Sequence, residues 1–349
     1  MKAYKLLSQD NAAVVKVPKP ALRPDGLLVK VACVALNPTD WKHIKVVDVR
    51  GAPLTVGCDF SGVVEEIGSS VTQPFQPGDR VCGTVHGSHT LKPEDGAFAE
   101  YLVAKADITM KVPSHMGFPE AASLGVQVYT VGQALYQSLG LPWPIEPVKA
   151  EERFPVLIYG GSTTMGSLGI QMAKLSGLEV ITTCSPHNFD FVKSLGADKV
   201  FDYKSPTVGS DIREYTNNRL RYVWDTFGEG QAGQICADAL SSSESPLRYV
   251  TTNPNPLPRE DVETIVRLTY TISNEASEVF GKLKLDPQPQ DFEFAKRWGP
   301  VAARLFEEKK VVPHPVDVRG GLEDIAGGLK DLEEGNVTGK KLVYRVGDL

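Results

Sequence analysis

A glycine-rich turn between an apolar strand and an amphipathic helix constrains the fold of this chain more than any other feature. The turn is Tyr159–Gly166 (YGGSTTMG), which follows the apolar run Val156–Tyr159 and precedes a helical stripe that Gly177 ends. Glycines allow a backbone to approach a pyrophosphate closely, and free N–H groups at a helix start attract anions. We therefore predict a dinucleotide-binding turn with contacts from Ser162, Thr163, Thr164 and Met165. Because Thr163 and Thr164 stand where glycines are usual, an ordinary strand–helix turn is the alternative.

Strands and helices alternate along the chain after this turn. The predicted strands are Glu179–Thr183, Lys199–Asp202, Tyr222–Asp225 and Arg248–Thr251, and His187–Leu195 is predicted to be helical. This alternation indicates βαβ units that form a doubly wound parallel sheet. Such a sheet binds ligands at the carboxyl ends of its strands. We assign residues 126–312 to this nucleotide-binding α/β domain.

The first third of the chain is predicted to be rich in β-strands. Its apolar, β-branched runs are separated by glycine and proline, as in a small irregular barrel. These runs are Leu27–Leu36, Ser61–Ile67, Arg80–Gly83 and Phe98–Val103. Residues 313–349 are predicted to return to this β-rich domain, with a helix at Leu322–Glu334 and a strand at Lys341–Val346. The sequence therefore predicts a β-rich domain of residues 1–125 and 313–349, into which the nucleotide-binding domain is inserted.

The end of the second strand of the parallel sheet indicates which dinucleotide binds. An enzyme that uses NAD places Asp or Glu there to accept a hydrogen bond from the ribose 2′-hydroxyl. Here no carboxylate precedes Asp190. Ser185 and Asn188 can donate hydrogen bonds to a 2′-phosphate instead, and His187 can add positive charge. The pattern favours NADPH, with predicted contacts from Ser185, Pro186, His187, Asn188 and Tyr203. Because Ser and Asn are favoured helix N-caps, a purely structural role for them is the alternative.

Composition argues against several classes of function. A formal net charge of −6 does not suit a surface that binds nucleic acids. No run of about 18 apolar residues is present, so we expect no membrane-spanning segment. The five cysteines are scattered, odd in number and without a C-x-x-C pair. This pattern predicts a reduced protein of the cytosol with no disulfide framework.

Six short motifs follow one another in a recognisable order. They are Asn37–Asp40 (NPTD), Gly57–Val64 (GCDFSGVV), Pro77–Val81 (PGDRV), Gly96–Tyr101 (GAFAEY), Glu120–Ala122 (EAA) and Leu195–Asp198 (LGAD). In order and spacing they resemble the medium-chain dehydrogenase/reductase superfamily over nearly the whole chain. The resemblance implies an α/β protein with a GroES-like β-rich barrel domain and an inserted Rossmann domain.

Three further stretches resemble a narrower group within that superfamily. They are Leu139–Pro144 (LGLPWP), Gly160–Thr163 (GGST) and Cys184–Asp190 (CSPHNFD). They are similar to the fungal trans-acting enoyl reductases that serve polyketide synthases in secondary metabolism. This resemblance implies that NADPH reduces an α,β-unsaturated acyl thioester held on an acyl carrier domain of the synthase, and that a monomer is favoured over a dimer.

The motifs depart from those of the zinc-dependent members of the superfamily. By the resemblance, the first zinc-binding cysteine corresponds to about Asn37, and the histidine of a G-H-E motif corresponds to Cys58. A catalytic zinc needs about three protein ligands. Cys33, Cys58 and His43 form a conceivable set, but no ligand spacing supports it. We therefore expect no metal.

The resemblance implies further contacts to the cofactor. Those near the nicotinamide ribose are Asp40, Trp41, Lys42 and His43, those on the nicotinamide side are Val250 and Thr251, and those that close the cofactor site are Lys340 and Lys341. Lys42 is also a candidate catalytic residue, as a donor to the enolate oxygen. The alternatives are a surface lysine for Lys42 and solvated charges for Lys340 and Lys341.

The resemblance places the acyl pocket on two segments. The first consists of Val126, Gln127, Val128, Tyr129, Thr130, Val131, Gly132 and Gln133, and the second of Thr271, Ile272, Ser273, Asn274 and Glu275. Thr130 is the second candidate catalytic residue, as a hydroxyl donor. The first segment also fits an ordinary amphipathic helix. No pattern predicts a partner for His86, His89, His115 or His314.

Reduction of a conjugated double bond suits a site without a metal. Hydride reaches the β-carbon, and the resulting enolate oxygen needs a hydrogen-bond donor, whereas reduction of a carbonyl to an alcohol usually uses a Lewis acid. Two other functions stay open at this point. One is a zinc-free reductase of free quinones or enals, and the other is a non-redox cyclase or binding partner that reuses the fold.

Overall fold

The protein consists of two compact units. The computed structural model describes residues 1–254 and 257–347. Unit 1 comprises Met1–Tyr129 together with the chain from Tyr270 onward, and unit 2 comprises Thr130–Thr269. Unit 2 is therefore an insertion in the sequence of unit 1.

Both units combine strands with helices. In chain order, the strands are β1 Lys2–Ser8, β2 Asn11–Lys16, β3 Gly26–Ala35, β4 Leu54–Thr55, β5 Asp59–Ile67, β6 Arg80–Thr84, β7 Tyr101–Lys105, β8 Thr109–Lys111, β9 Pro155–Tyr159, β10 Glu179–Cys184, β11 Lys199–Asp202, β12 Tyr222–Asp225, β13 Arg248–Thr251, β14 Glu263–Val266, β15 Ser277–Val279, β16 Leu283–Leu285, β17 Val316–Arg319 and β18 Lys341–Arg345. The α-helices are α1 Pro38–Val46, α2 Phe118–Ala122, α3 Gly125–Gly132, α4 Thr164–Leu175, α5 Phe189–Ser194, α6 Val208–Tyr215, α7 Ala232–Ala239, α8 Pro289–Glu307 and α9 Ile325–Glu333.

Strand β3 organises unit 1. It pairs antiparallel with β5, β7 and β18 and is buried along almost its whole length. The sheet around it runs β17-β18-β3-β5-β6-β8, and a smaller sheet runs β2-β1-β4. The core of unit 1 includes the fully buried Leu27, Phe60 and Phe98. This arrangement confirms the predicted β-rich domain.

A single parallel sheet organises unit 2. Its strand order is β11-β10-β9-β12-β13-β14, and each neighbouring pair is parallel. Counted from β9, this is the order 3-2-1-4-5-6 of a doubly wound dinucleotide-binding fold. Helix α4 lies very close to the sheet, because a Cβ atom added at Gly169 would be 2.5 Å from the Trp224 ring. The predicted Rossmann domain and the α/β fold class are confirmed.

The chain returns to unit 1 earlier than the sequence indicated. The prediction assigned residues 126–312 to the nucleotide-binding domain, whereas unit 2 covers Thr130–Thr269. Residues 270–312 carry helix α8, and the Trp298 indole N–H on this helix donates a 2.8 Å hydrogen bond to the Val128 carbonyl in unit 1. Trp298 is completely buried. The segment therefore packs into unit 1, although its helical sequence pattern resembles that of the preceding α/β domain.

Most predicted elements occur where the periodicity placed them. Strands β11, β12 and β13 match their predicted bounds residue for residue. The predicted strand at Phe98 starts only at Tyr101, because Phe98 lies in the core and its N–H donates to the Val56 carbonyl before the ladder of β7 begins. The predicted helix His187–Leu195 begins instead as a 3-10 turn at Pro186–Asn188, which α5 continues.

Candidate functional site

The glycine-rich turn of unit 2 joins the carboxyl end of β9 to the start of α4. Thr163 is the N-cap residue, and its hydroxyl accepts a 2.9 Å hydrogen bond from the Gly166 N–H. The Thr163 hydroxyl also lies 3.0 Å from that of Thr226, which follows β12. Ser162 and Thr164 flank this cap, and Met165 follows it on the helix. The first N–H groups of α4 thus stand at the sheet edge where ligands bind.

The glycines of the turn occupy positions where a side chain does not fit. Gly160 has a φ of +83°, which disfavours other residues. A Cβ atom at Gly161 would lie 2.1 Å from the Thr182 hydroxyl, and one at Gly166 would lie 2.2 Å from the Gly160 carbonyl. The backbone of the turn therefore packs closely against neighbouring atoms. Without side chains at these glycines, a pyrophosphate can approach the backbone. These residues fit the phosphates of a dinucleotide.

Two polar side chains after β10 occupy helix N-cap positions without capping the helices. Ser185 is the N-cap residue of the 3-10 turn and Asn188 that of α5, yet neither side chain makes a capping hydrogen bond. The Ser185 hydroxyl instead donates a 3.4 Å hydrogen bond to the Tyr203 hydroxyl. Pro186 and His187 are exposed. The structure thus brings Ser185 and Tyr203 together at this strand end, with no carboxylate in the segment before Asp190.

The carboxyl ends of β12 and β13 are fully buried. Val250 and Thr251, the predicted contacts on the nicotinamide side, lie there with no exposed surface. Asp225 ends β12, and its carboxylate accepts hydrogen bonds from the N–H groups of Phe227 and Gly228 and from the Tyr249 hydroxyl. Burial raises the pKa of Asp225 despite these donors. Asp225 was not predicted as a site residue, although a carboxylate at a strand end is a signal visible in the sequence.

A buried ion pair organises the candidate residues of unit 1. The Lys341 ammonium lies 3.1 Å from Asp59 Oδ2 and also donates to the Asn37 side-chain oxygen. Asn37 Nδ2 donates to the same Asp59 oxygen at 2.9 Å. All three side chains are buried, Asp59 completely. Lys341 is therefore not the solvated charge of the alternative interpretation, whereas Lys340 is exposed.

Of the predicted cofactor contacts on helix α1, two are buried and two are partly exposed. Asp40 and His43 are buried, whereas Trp41 and Lys42 are partly exposed, with the Lys42 ammonium 5.7 Å from the centre of the Trp41 ring. The Asp40 carboxylate accepts a 2.7 Å hydrogen bond from the Asn37 N–H. Burial raises the pKa of Asp40 to about 7. The structure therefore leaves Trp41 and Lys42 as the members of this group that can reach a ligand.

The tautomer of His43 follows from its two partners. Its Nε2 accepts a 3.2 Å hydrogen bond from the Phe280 N–H, so Nδ1 carries the proton and donates to the Thr39 carbonyl at 2.8 Å. Burial lowers the pKa of His43 to about 4. His43 is thus a neutral, fully engaged side chain near neutral pH.

The first predicted acyl-pocket segment forms helix α3, whose start is fixed by Asp59. Asp59 Oδ1 accepts a 2.6 Å hydrogen bond from the Val126 N–H. Val126 is partly exposed, whereas the other residues are buried, namely Gln127, Val128, Tyr129, Thr130, Val131, Gly132 and Gln133. The Thr130 hydroxyl lies 2.6 Å from that of Thr269. Most of this segment therefore packs within the protein.

The second predicted segment is a loop of unit 1 held by polar contacts. The Thr271 hydroxyl donates to the Asp291 carboxylate, and the Ser273 hydroxyl donates to the Tyr270 carbonyl. Ile272 is buried, and Asn274 has a φ of +55°. Glu275 forms a 2.6 Å ion pair with Lys92. Glu275 is thereby committed to binding a lysine of unit 1.

Several aromatic rings of unit 1 form a cluster that was not predicted from the sequence. The His86 ring centre lies 4.3 Å from that of His89 and 4.4 Å from that of Tyr270, and the His43 ring centre lies 4.4 Å from that of Phe280. Burial lowers the pKa of His86 well below its usual value. The members come from three distant segments, so no local spacing could reveal them. Of the remaining histidines, His314 is buried with a pKa lowered to about 4, and His115 is exposed.

Within residues 1–254 and 257–347, no three His, Cys, Asp or Glu side chains are arranged to hold a metal ion. Cys58 hydrogen-bonds the Asp40 carboxylate, and burial raises the pKa of its thiol. Asn37, which corresponds to the other position of a zinc ligand, is bound to Asp59 and Lys341. No described helix is both long and apolar enough to cross a membrane.

Two stretches of the sequence match known protein families. Residues 23–114 match the alcohol dehydrogenase GroES-like domain, and residues 164–244 match the family described as zinc-binding dehydrogenase. The trans-enoyl reductase ACTTS2 of Alternaria alternata is 43% identical over 99% of this chain and 98% of that protein. The trans-enoyl reductase resD of Aspergillus sclerotiorum is also 43% identical, over 94% of this chain and 95% of that protein.

The chain belongs to the trans-enoyl reductase family. It is an oxidoreductase of the medium-chain dehydrogenase/reductase superfamily, as the sequence motifs predicted. A solved structure of a putative zinc-dependent alcohol dehydrogenase from Rhizobium etli CFN 42 shares its fold, with a TM-score of 0.80 and 24% identity over 100% of this chain and 99% of the other. That likeness establishes the fold alone.

The buried ion pair predicts a large loss of stability when Lys341 is replaced. In Lys341→Met, Asp59 keeps a buried charge without its partner, which we expect to lower the free energy of unfolding by about 3–5 kcal/mol. Urea unfolding measures this loss. The matched control is Lys340→Met at the exposed neighbouring position, with an expected change within about 0.5 kcal/mol. If both variants unfold at the same urea concentration, the Lys341–Asp59 pair does not stabilise unit 1.

The raised pKa of Asp40 predicts a pH-dependent stability. In the folded protein the pKa of Asp40 is about 7, whereas the ordinary pKa of an aspartate is 3.8. The folded state therefore binds more protons between these values, and the stability that Asp40 contributes falls as the pH rises through this window. Relative to Asp40→Asn, wild-type stability should fall by up to about 1.4 kcal/mol per pH unit from pH 4 to 7. Urea unfolding at several pH values checks this, and a constant difference would contradict it.

Proposed function

We propose that this protein uses NADPH to reduce an α,β-unsaturated acyl thioester presented on an acyl carrier domain of a polyketide synthase. The observation that carries the proposal is the glycine turn at the sheet edge of unit 2, together with the hydroxyl and amide donors that follow β10 in place of a carboxylate. The near full-length similarity to proteins named trans-enoyl reductases supports the substrate class.

The choice of NADPH over NADH rests on four side chains after β10 and β11. Ser185 and Asn188 make no capping bonds, so their hydroxyl and amide groups remain able to donate to a 2′-phosphate. The exposed His187 adds a donor beside them, and Tyr203 hydrogen-bonds Ser185 from the adjacent strand. Pro186 holds this short turn at its first position. Ser162, Thr163, Thr164 and Met165 complete the proposed contacts around the pyrophosphate.

The bound dinucleotide supplies hydride to the β-carbon of the acyl group. Lys42 is proposed to donate to the enolate oxygen, because the residue is partly exposed and its ammonium lies 5.7 Å from the centre of the Trp41 ring. Thr130 is proposed to add a hydroxyl at the start of the acyl pocket, next to Thr269. Lys341 is proposed to act on the cofactor only indirectly, because its ammonium is committed to Asp59 and Asn37.

The proposal includes a monomer that works in the cytosol beside the synthase. All five cysteines are free and buried, which suits a compartment in which thiols stay reduced. The rival reductase of free quinones or enals shares the cofactor turn but needs no carrier. The rival cyclase or binding partner needs no dinucleotide, whereas the glycine turn of this chain supports a proposal that includes one.

The cofactor choice predicts selective binding. Purified protein should bind NADPH at least ten-fold more tightly than NADH, as measured by nicotinamide fluorescence. Asn188→Ala removes one donor to the 2′-phosphate and should weaken NADPH binding by about ten-fold, or ~1.4 kcal/mol, with little effect on NADH. Ser194→Ala is the matched control, because its hydroxyl donates to the Phe191 carbonyl in the same helix. Equal affinity for the two cofactors would exclude the assignment of the 2′-phosphate site.

The substrate class predicts a preference for thioesters on a carrier. The same enoyl group is offered on an acyl carrier domain and on N-acetylcysteamine, alongside a free quinone and a free enal, and NADPH oxidation is followed. We expect kcat/KM to be at least ten-fold higher for the carrier-bound thioester, because remote binding energy from the carrier adds to recognition. Faster turnover of the quinone would favour the first rival, and the absence of both NADPH binding and turnover would favour the second.

A further inference from the structure

Two hydroxyl groups of unit 1 lie within hydrogen-bond distance of each other. The Tyr270 hydroxyl lies 2.6 Å from the Thr39 hydroxyl, and either oxygen can be the donor. Thr39 is in the first turn of α1, three residues before Lys42. Tyr270 directly follows Thr269, whose hydroxyl contacts that of Thr130. The phenol is thus hydrogen-bonded to the helix that carries the proposed cofactor contacts, and Tyr270 follows in sequence a residue that contacts the proposed acyl-pocket segment.

The neighbouring rings fix the Tyr270 side chain but do not use its proton. Its ring centre lies 4.4 Å from that of His86 and 6.0 Å from that of His43. Both ring nitrogens of His43 are committed, one to the Thr39 carbonyl and one to the Phe280 N–H. Burial keeps the pKa values of both imidazoles low, so neither is a cationic acid near neutral pH.

Burial also raises the pKa of the Tyr270 phenol well above its usual value. The phenol therefore retains its proton in the resting protein and releases it only to a strong base. The enolate of a thioester is such a base at its α-carbon. The Tyr270 residue as a whole keeps part of its surface exposed.

We propose that the Tyr270 hydroxyl is the acid that protonates the α-carbon during the reduction, with the Thr39 hydroxyl as its relay. This inference rests on the proposed function. The electron pair of the enolate forms the new C–H bond with the phenol proton, the O–H bond of Tyr270 breaks, and a phenolate remains. Water returns a proton to the phenolate through the Thr39 hydroxyl. Together with hydride delivery, the balance is one NADPH and one proton consumed for each double bond reduced.

Tyr270→Phe tests the role directly, because it removes the acid and keeps the ring that packs against His86. We expect kcat to fall about 10²-fold or more, with KM changed less than three-fold, since a general acid contributes about 10²–10⁴. Thr39→Val should lower kcat by a smaller factor, about ten-fold, because direct access of water can replace a relay. The matched control is Tyr136→Phe, which removes a buried hydroxyl 3.1 Å from Ser176 in unit 2 and should leave kcat unchanged.

Deuterium incorporation separates a proton donor from a residue that only supports the fold. In D2O, the wild type should place deuterium at the α-carbon in one configuration, as measured by NMR of the product. In Tyr270→Phe, solvent deuterates the enolate from either face, so we expect both configurations. Unchanged kcat, or a reduced kcat with a single configuration retained, would overturn the inference. If the wild type binds NADPH but reduces no enoyl thioester, the proposed function itself is wrong and the inference is lost with it.

Discussion

One carboxylate holds three separate parts of unit 1 together. Asp59, at the start of β5, binds the ammonium of Lys341 on β18, the amide of Asn37 before α1 and the N–H of Val126 at the start of α3. It is completely buried. A buried charge is tolerated only when it is paired and its remaining lone pairs are satisfied. Asp59 therefore fixes the positions of α1 and α3 through these contacts. The candidate residues on the two helices depend on the same contacts.

Unit 2 relies on a different constraint, which is the space available to the backbone. At Gly161 and Gly166 an added Cβ atom would lie 2.1 and 2.2 Å from neighbouring atoms, and Gly160 has a left-handed φ. These positions set the path of the turn before any ligand contact is made. The parallel sheet behind it has β9 at its centre, fully buried. The phosphate-binding surface is thus built from backbone geometry, whereas the candidate surface of unit 1 is built from charged and hydroxyl side chains.

The sequence predicted those parts of the molecule that local patterns determine. Apolar periodicity placed β11, β12 and β13 to the residue, and the glycine turn was found from its strand–helix context. What could not be predicted depends on tertiary contacts. The side chains around Tyr270 come from segments near residues 43, 86 and 270, and the commitment of Lys341 to Asp59 joins positions that are 282 residues apart. The same limit explains the displaced domain boundary, since α8 packs into unit 1 through long-range contacts such as the hydrogen bond from Trp298 to Val128.

The separation of Asp59 from Lys341 also orders events during synthesis. Unit 2 is one continuous stretch, Thr130–Thr269, and can complete its sheet while later residues are still being added. Unit 1 cannot, because Asp59 leaves the ribosome 282 residues ahead of the lysine that neutralises it. Its long-range strand pairings, β3 with β18 among them, must wait for the same segment. The nascent chain therefore carries a folded nucleotide-binding unit while the first 129 residues still lack part of their core, and it is during this interval that those residues most need protection from aggregation.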